Sequence, residues 1–503
     1  MIERPAAVLF GVAAAILMSG FSRSGQDQRP TFRTEANYVR VDVFPTIDGS
    51  PVADLGQDEF EIFEDRARQR IEQFEHVVVR GSIPEQSRRD PNTIAESRQA
   101  ASDPRVRVFV VFLDTYHVDV GGSHDIRRPL VLMLDQVIGE DDLVAVMTPE
   151  MSAADITFAR KTTTITGILT RYWPWGERDR LVSPDRQDDE YRACYPSIAP
   201  TAQCPDDARG VAEEMIARRH EKLTIDALQD LVRHLRDLRE ERKAIVAISD
   251  GWLLYRENPA LMRRLYCQPP GTPDVAIDPR TGKLTNKPTR DMIAAISGCD
   301  VDRMRLAQID DERQFRDILD EANRANASFY PVDPRGLAVF DSPISKPVPP
   351  ALDAKALQAR LTSLRTLAEA TDGMAVVNSN DLAGGLRRVA ADLSSYYLLG
   401  YYSSGKMDGK FHTISVRVKR PGVQVRARRG FLAPTVAEAT AGGNGPGANA
   451  TASPSAATAI AAGVRAAVSE LAGKLRDQSF HVLATAGWRQ GADGLPAPVF
   501  WSE

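Results

Sequence analysis

Five short apolar runs, near residues 106–113, 143–148, 244–249, 327–332 and 374–378, are separated by stretches of helical spacing at 126–138, 225–238, 315–325, 357–370 and 382–393. This alternation constrains the fold more than any other feature of the chain. Runs apolar at nearly every position suit strands buried on both faces, and strands that alternate with helices build parallel βαβ units. The pattern predicts an α/β domain over residues 105–392, with a doubly wound, mainly parallel sheet. Two long inserts, 171–210 and 252–305, interrupt it. Loops of that length inside a compact domain mark surface elaboration or function.

Strict apolar and polar alternation takes over on either side. Tyr38 to Phe44, Phe60 to Glu64 and Ile71 to Phe74 read as half-buried antiparallel strands, with a turn signal at Asp48-Gly49. Tyr396 to Tyr402, Phe411 to Val418 and Val423 to Arg429 repeat the pattern after the α/β region. The segments 31–80 and 393–432 are expected to pair in one discontinuous antiparallel β-sandwich. Residues 81–104 carry Pro84, Pro91 and Pro104 and read as a linker; 436–463, rich in Ala, Gly, Ser, Thr and Pro, reads as a flexible one. Residues 464–503 read as the start of a further domain, broken off in mid-pattern.

Arg4, the apolar stretch Ala6 to Met18 and the small residues after it have the layout of a secretory signal over 1–24. The stretch is too short to span a bilayer comfortably, and no Cys follows it to carry a lipid anchor. The chain is therefore expected to be periplasmic or secreted, with no membrane span beyond that segment. Four cysteines fit such a compartment; the expected disulfides join neighbours in sequence, Cys194 with Cys204 and Cys267 with Cys299. The net charge of -5 is spread over 503 residues without a basic block, which argues against nucleic acid.

Asp114 ends the first α/β run, and Asp250 follows the third within Ser249-Asp250-Gly251. In an open parallel sheet the carboxyl edge is where ligands sit. Two carboxylates there, with the Thr224 hydroxyl from a helix expected to open just before the Asp250 strand, offer hard oxygen ligands to Mg²⁺ or Mn²⁺. Helix or turn capping is the alternative role for both aspartates. His124, His220 and His234 have no partner at ligand spacing and read as surface or helix-packing residues. Asp333 suits a turn before Pro334, and Trp173-Pro174-Trp175 suits packing onto the domain more than an exposed contact. The GxxxxGK match at Gly400–Lys406 has Met407 where a P-loop needs Ser or Thr, and it lies in a hairpin context.

Several segments resemble the von Willebrand factor type A family, and more closely its bacterial, Acidobacteria-type relatives. They are Leu55 to Asp65 with its DEFEIFED run, Phe112 to His117, Lys243 to Gly251, Tyr330 to Leu337, and the YYLLGYY stretch. The resemblance covers about residues 31–432 and implies a Rossmann-like type A domain. It also implies a metal-ion-dependent adhesion site of DxSxS pattern with a separate Thr and a separate Asp. Asp114, Thr224 and Asp250 match three of those positions, while Tyr116 and Val118 stand where the serines belong, so the site is degenerate. The expected function is a non-enzymatic adhesion-type module for a protein or cell-surface ligand. A metal-assisted hydrolase and a structural envelope protein with a vestigial site are the alternatives.

Overall fold

The structure is a computed structural model that describes residues 38–47, 49–78, 88–103, 106–161, 185–202, 204–239, 241–267, 290–342, 348–405 and 407–433, with 167, 175, 276–277, 284–285, 435, 484–490 and 496–502. The signal segment 1–24 and the whole 436–463 linker lie outside these residues. The chain divides into two compact units, Met1–Ala439 and Thr440–Glu503.

In the first unit the chain opens with strands β1 (Tyr38–Ile47), β2 (Phe60–Glu64), β3 (Ala67–Gln69) and β4 (Gln73–Val78). Helix α1 (Ile94–Ala101) follows inside the stretch expected to be a linker. Thr93 caps it through its side chain, and Ser97 exchanges hydrogen bonds with the Phe158 backbone, which gives this short helix a seat. The α/β region then runs β5 (Val108–Leu113), α2 (Val120–Val137), β6 (Leu143–Met147), α3 (Arg186–Cys194), α4 (Val211–Leu238), β7 (Lys243–Ile248), α5 (Arg290–Ala307), α6 (Asp311–Arg324), β8 (Ala327–Val332), α7 (Pro350–Ala370) and α8 (Leu382–Ser394). Strands β9 (Ser395–Tyr402), β10 (Phe411–Val418), β11 (Gln424–Ala427) and β12 (Gly430–Leu432) close the unit.

The central sheet is parallel, in the order β8-β7-β5-β6. Every residue of β5 is buried, because the sheet is covered on both faces. Val108, Val110 and Phe112 pack with Ile225, Leu228, Phe315 and Leu364 from one helical layer. Phe109, Val111 and Leu113 point to the other layer and meet Ile126, Leu130, Leu386 and Val389. The run expected as a fifth strand at 374–378 contributes only a single parallel bridge, Val332 to Val376. Asp372 and Asn378 take left-handed backbone at either end of it, so too few extended residues remain to form a ladder.

The outer β segments do pair with one another. β1 lies between β9 and β11, and β9 carries β4; the facing sheet runs β12-β10-β2-β3. Register places Val39 opposite Tyr401, Val41 opposite Leu399 and Val43 opposite Tyr397, so the buried side of each strand faces one core with Phe60, Ile62 and Ile414. Gly400 sits inside β9, which removes any strand-to-helix phosphate loop there.

The described parts of the two inserts and the helix ends next to them form a helical lobe with its own core of Tyr191, Tyr195, Met215, Leu261, Leu265 and Leu306. Its disulfides are Cys194–Cys299 and Cys204–Cys267, which corrects the expected pairing. Each bridge joins the first insert to the second instead of closing one insert on itself. Among the described residues no helix is long and apolar enough to cross a membrane. In the second unit, β13 (Ala484–Gln490) pairs antiparallel with β14 (Pro496–Ser502).

Candidate functional site

Strands β5 and β7 are neighbours, with Leu113 opposite Ile248, so Asp114 and Ser249 leave the sheet side by side at its carboxyl edge. The Asp114 amide donates to the Ile248 carbonyl at 3.0 Å, which holds the residue in the ladder's last rung. Its side chain is fully buried. The carboxylate accepts from Ser249 Oγ at 2.6 Å and Trp252 Nε1 at 3.1 Å on one oxygen, and from Thr224 Oγ1 at 3.1 Å on the other. His117 Nδ1 lies 2.9 and 3.0 Å from the two oxygens. Burial pushes this carboxyl up, but His117 and the hydroxyl and indole donors outweigh it and hold the pKa below the usual range.

Thr224 therefore meets Asp114, though not from the position expected. It lies well inside the 28-residue α4, which begins within the insert lobe and not just before β7. Val118, at the position of a motif serine, is buried in the apolar core. Tyr116, at the other, turns outward to stack on His220 at 4.4 Å between ring centroids.

Asp250 belongs to a different network on the neighbouring strand. Its backbone oxygen accepts from Arg335 Nη2 at 2.8 Å, and its carboxylate lies 3.5 Å from Arg335 Nε. Among the described residues no hydrogen bond or ion pair joins it to Asp114 or Thr224. One carboxylate oxygen, Oδ1, is buried without a partner. Burial raises the Asp250 pKa well above the ordinary value, the Asp333 and Asp119 charges add to it, and Arg335 and Arg360 oppose it. Asp333 grips Arg335 through both oxygens at 2.9–3.0 Å, and Asp341 bridges Arg335 and Arg360. Arg360 Nη1 in turn donates to the Gly251 carbonyl at 2.6 Å. Gly251 has φ +90°, and a Cβ there would fall 2.3 Å from the Arg360 carbonyl, so only glycine carries the chain past this point.

A third cluster was not legible from spacing. His220 Nε2 lies 2.8 Å from Asp188, and ligand-type atoms of Asp185, Asp188 and His220 all fall within 4.8 Å of one another. His220 therefore has partners after all, supplied by the first insert. Arg219 already sits on both carboxylates, at 2.7 and 3.0 Å, so this trio carries its own countercharge. The other histidines behave as expected: His124 is exposed beside Asp125, and His234 is held below its ordinary pKa by burial and by Arg98. Trp175 packs against the core; Trp173 lies outside the described residues.

The fit of Mg²⁺ or Mn²⁺ turns on the donors around Asp114. A divalent cation needs oxygen lone pairs, yet both Asp114 oxygens already accept from protein groups, and the Trp252 indole nitrogen has no lone pair to offer. The arrangement around Asp114 serves as a buried hydrogen-bond hub without a cation. No family model, curated protein or solved structure matches the chain.

Proposed function

We propose that this chain is an exported, non-enzymatic protein-interaction module whose contact surface is the carboxyl rim of the parallel sheet. The doubly wound type A reading supports this, since such folds bind ligands at that rim. So do the two disulfides, which suit an oxidising compartment outside the cytosol. The observation that carries the reading lies in the loop after β8. There Leu337, Val339 and Phe340 are 53%, 71% and 60% exposed. Apolar side chains grouped in this way, on a loop pinned by polar contacts, mark a contact surface.

The loop is anchored on both sides. Arg335 ties its start to Asp250, Asp333 and Asp341, and the Asp353 carboxylate accepts from the backbone amides of Asp341 and Ser342 at its end. A loop held in this way loses little conformational entropy when it docks.

A second reading, in which Asp114, Thr224 and Asp250 hold Mg²⁺ or Mn²⁺ and a partner carboxylate completes the shell, is favoured by the unpartnered Oδ1 of Asp250. It requires the Trp252 indole to leave Asp114. One experiment addresses both readings: a photo-crosslinking residue at Val339, with a control at the exposed Leu132 on α2, in the native exporting cells with and without EDTA. A discrete adduct from position 339 alone, unchanged by EDTA, is the expected result. Loss of that adduct in EDTA would move the function to the metal reading, and equal or absent adducts from both positions would end the rim proposal.

A further inference from the structure

Residues of α6, of α7 and of the segment that follows β7 line an open groove of about 610 Å³. That is the size of small-molecule sites, which run roughly 300–1,000 Å³. Leu253, Leu254, Phe315, Leu319 and Ala359 give it an apolar floor and walls. Each helix contributes one stripe at helical spacing: Glu312, Phe315, Arg316 and Leu319 from α6, and Lys355, Ala359 and Thr362 among those from α7.

The rim is cationic. Glu312, the one carboxylate of the lining, is ion-paired with Arg256. That leaves Arg316 and Lys355 on opposite walls without an ion-pair partner among the described residues. The floor is also strained: Leu254 has φ 55°, in the left-handed region that branched, bulky residues avoid. Strain of this kind collects at ligand clamps and binding sites.

We propose that the groove binds a small amphiphilic anion, an alkyl chain that ends in a carboxylate. The chain lies on the Leu253, Leu254, Phe315 and Leu319 surface, and the carboxylate meets Arg316 and Lys355. Charge complementarity selects the anion, and the mainly apolar lining selects the alkyl body over a bare ion. The groove also carries its own reporter. Trp252 lies 6.1 Å from the Phe315 ring between centroids, and its backbone amide donates to Ser363 Oγ, which lines the groove.

The test is calorimetric titration of the full chain with decanoate, with decanol as the uncharged control, and Trp emission recorded in parallel. Decanoate should bind saturably with one site per chain and shift the emission, and decanol should bind roughly tenfold more weakly. The double variant Arg316→Glu/Lys355→Glu changes two exposed side chains and leaves the core intact. It should lose about tenfold for decanoate while decanol binding stays unchanged. Leu319→Trp, with its fold checked by circular dichroism, intrudes on the apolar lining and should weaken both. Equal binding of decanoate and decanol, no saturable binding, or wild-type affinity in either variant would overturn the proposal. So would an acidic peptide that occupies the groove while decanoate does not.

Discussion

Asp114 and Asp250 sit one strand apart, yet substitution should act on them in opposite ways. Asn at 114 keeps the shape but replaces an acceptor oxygen with a donor, so either Ser249 and Trp252 on one side or Thr224 and His117 on the other must face an NH₂ group in a buried site. An unsatisfied pair there should cost about 3 kcal/mol. Asn at 250 removes a carboxylate whose charge is disfavoured by burial and whose Oδ1 has no partner. That change should lie within about 1 kcal/mol of neutral at pH 7. Their pH dependences also differ in sign. The Asp114 pKa is lowered on folding, so its stabilisation is present above the unfolded pKa of about 3.9 and is lost as pH falls through the folded value. Asp250 is raised, so its contribution is full below that unfolded pKa and is lost as pH rises through the folded one. Urea unfolding of wild type and both Asn variants from about pH 2 to pH 8 checks this; a larger loss at 250 than at 114 would refute the two-network reading. The sequence showed both aspartates at strand ends, because apolar runs that stop at a carboxylate are local signals. It could not show which donors surround them: Trp252, Ser249, Arg335 and His117 arrive from turns whose directions depend on tertiary contacts.

At the scale of elements, the buried strands were legible because β5, β7 and β8 are apolar throughout, whereas the insert lobe was not. Four cysteines allow three pairings, and closeness in sequence favoured the wrong one. The first part of α4 shows why. Val211 to Ile216 buries its apolar face against the lobe and not the sheet, so its periodicity points to a core that only the second insert completes. Non-reducing peptide mapping should recover crosslinks 194–299 and 204–267 and none between 194 and 204. A bridge closing a loop of about 100 residues contributes up to about 4.7 kcal/mol in the chain-entropy description. Cys194→Ser/Cys299→Ser should therefore speed hydrogen exchange in α3 and α5 while β5 and β7 stay protected. Equal loss of protection in the central sheet would show that the lobe is not a separate folding element.

Across the first unit, the β-sandwich and the α/β layer share a polar seam built around Arg242, just before β7. Its guanidinium stacks on Phe44 of β1 at 3.8 Å and donates to Tyr330 at 2.7 Å and Ser328 at 3.2 Å on β8. Tyr330 donates to Asp392 at 2.8 Å, and Arg426 of β11 meets the same carboxylate. The pairing of 31–80 with 393–432 was legible from alternation alone, but this seam was not, since its residues look like ordinary surface charges in sequence. Arginine suits the position because one planar group stacks and donates at once; a lysine ammonium stacks less well and reaches fewer acceptors. Arg242→Lys should thus cost about 1–2 kcal/mol, and Arg242→Ala should cost more by leaving Tyr330 and Ser328 without their donor. If the seam couples the two layers, calorimetry of wild type should give one cooperative transition for this unit. Arg242→Ala/Arg426→Ala should then split or broaden it, with the sandwich melting apart from the parallel sheet. A single unbroadened transition in that double variant, merely shifted in Tm, would mean that apolar packing between α8, β9 and their neighbours holds the layers together without the arginines.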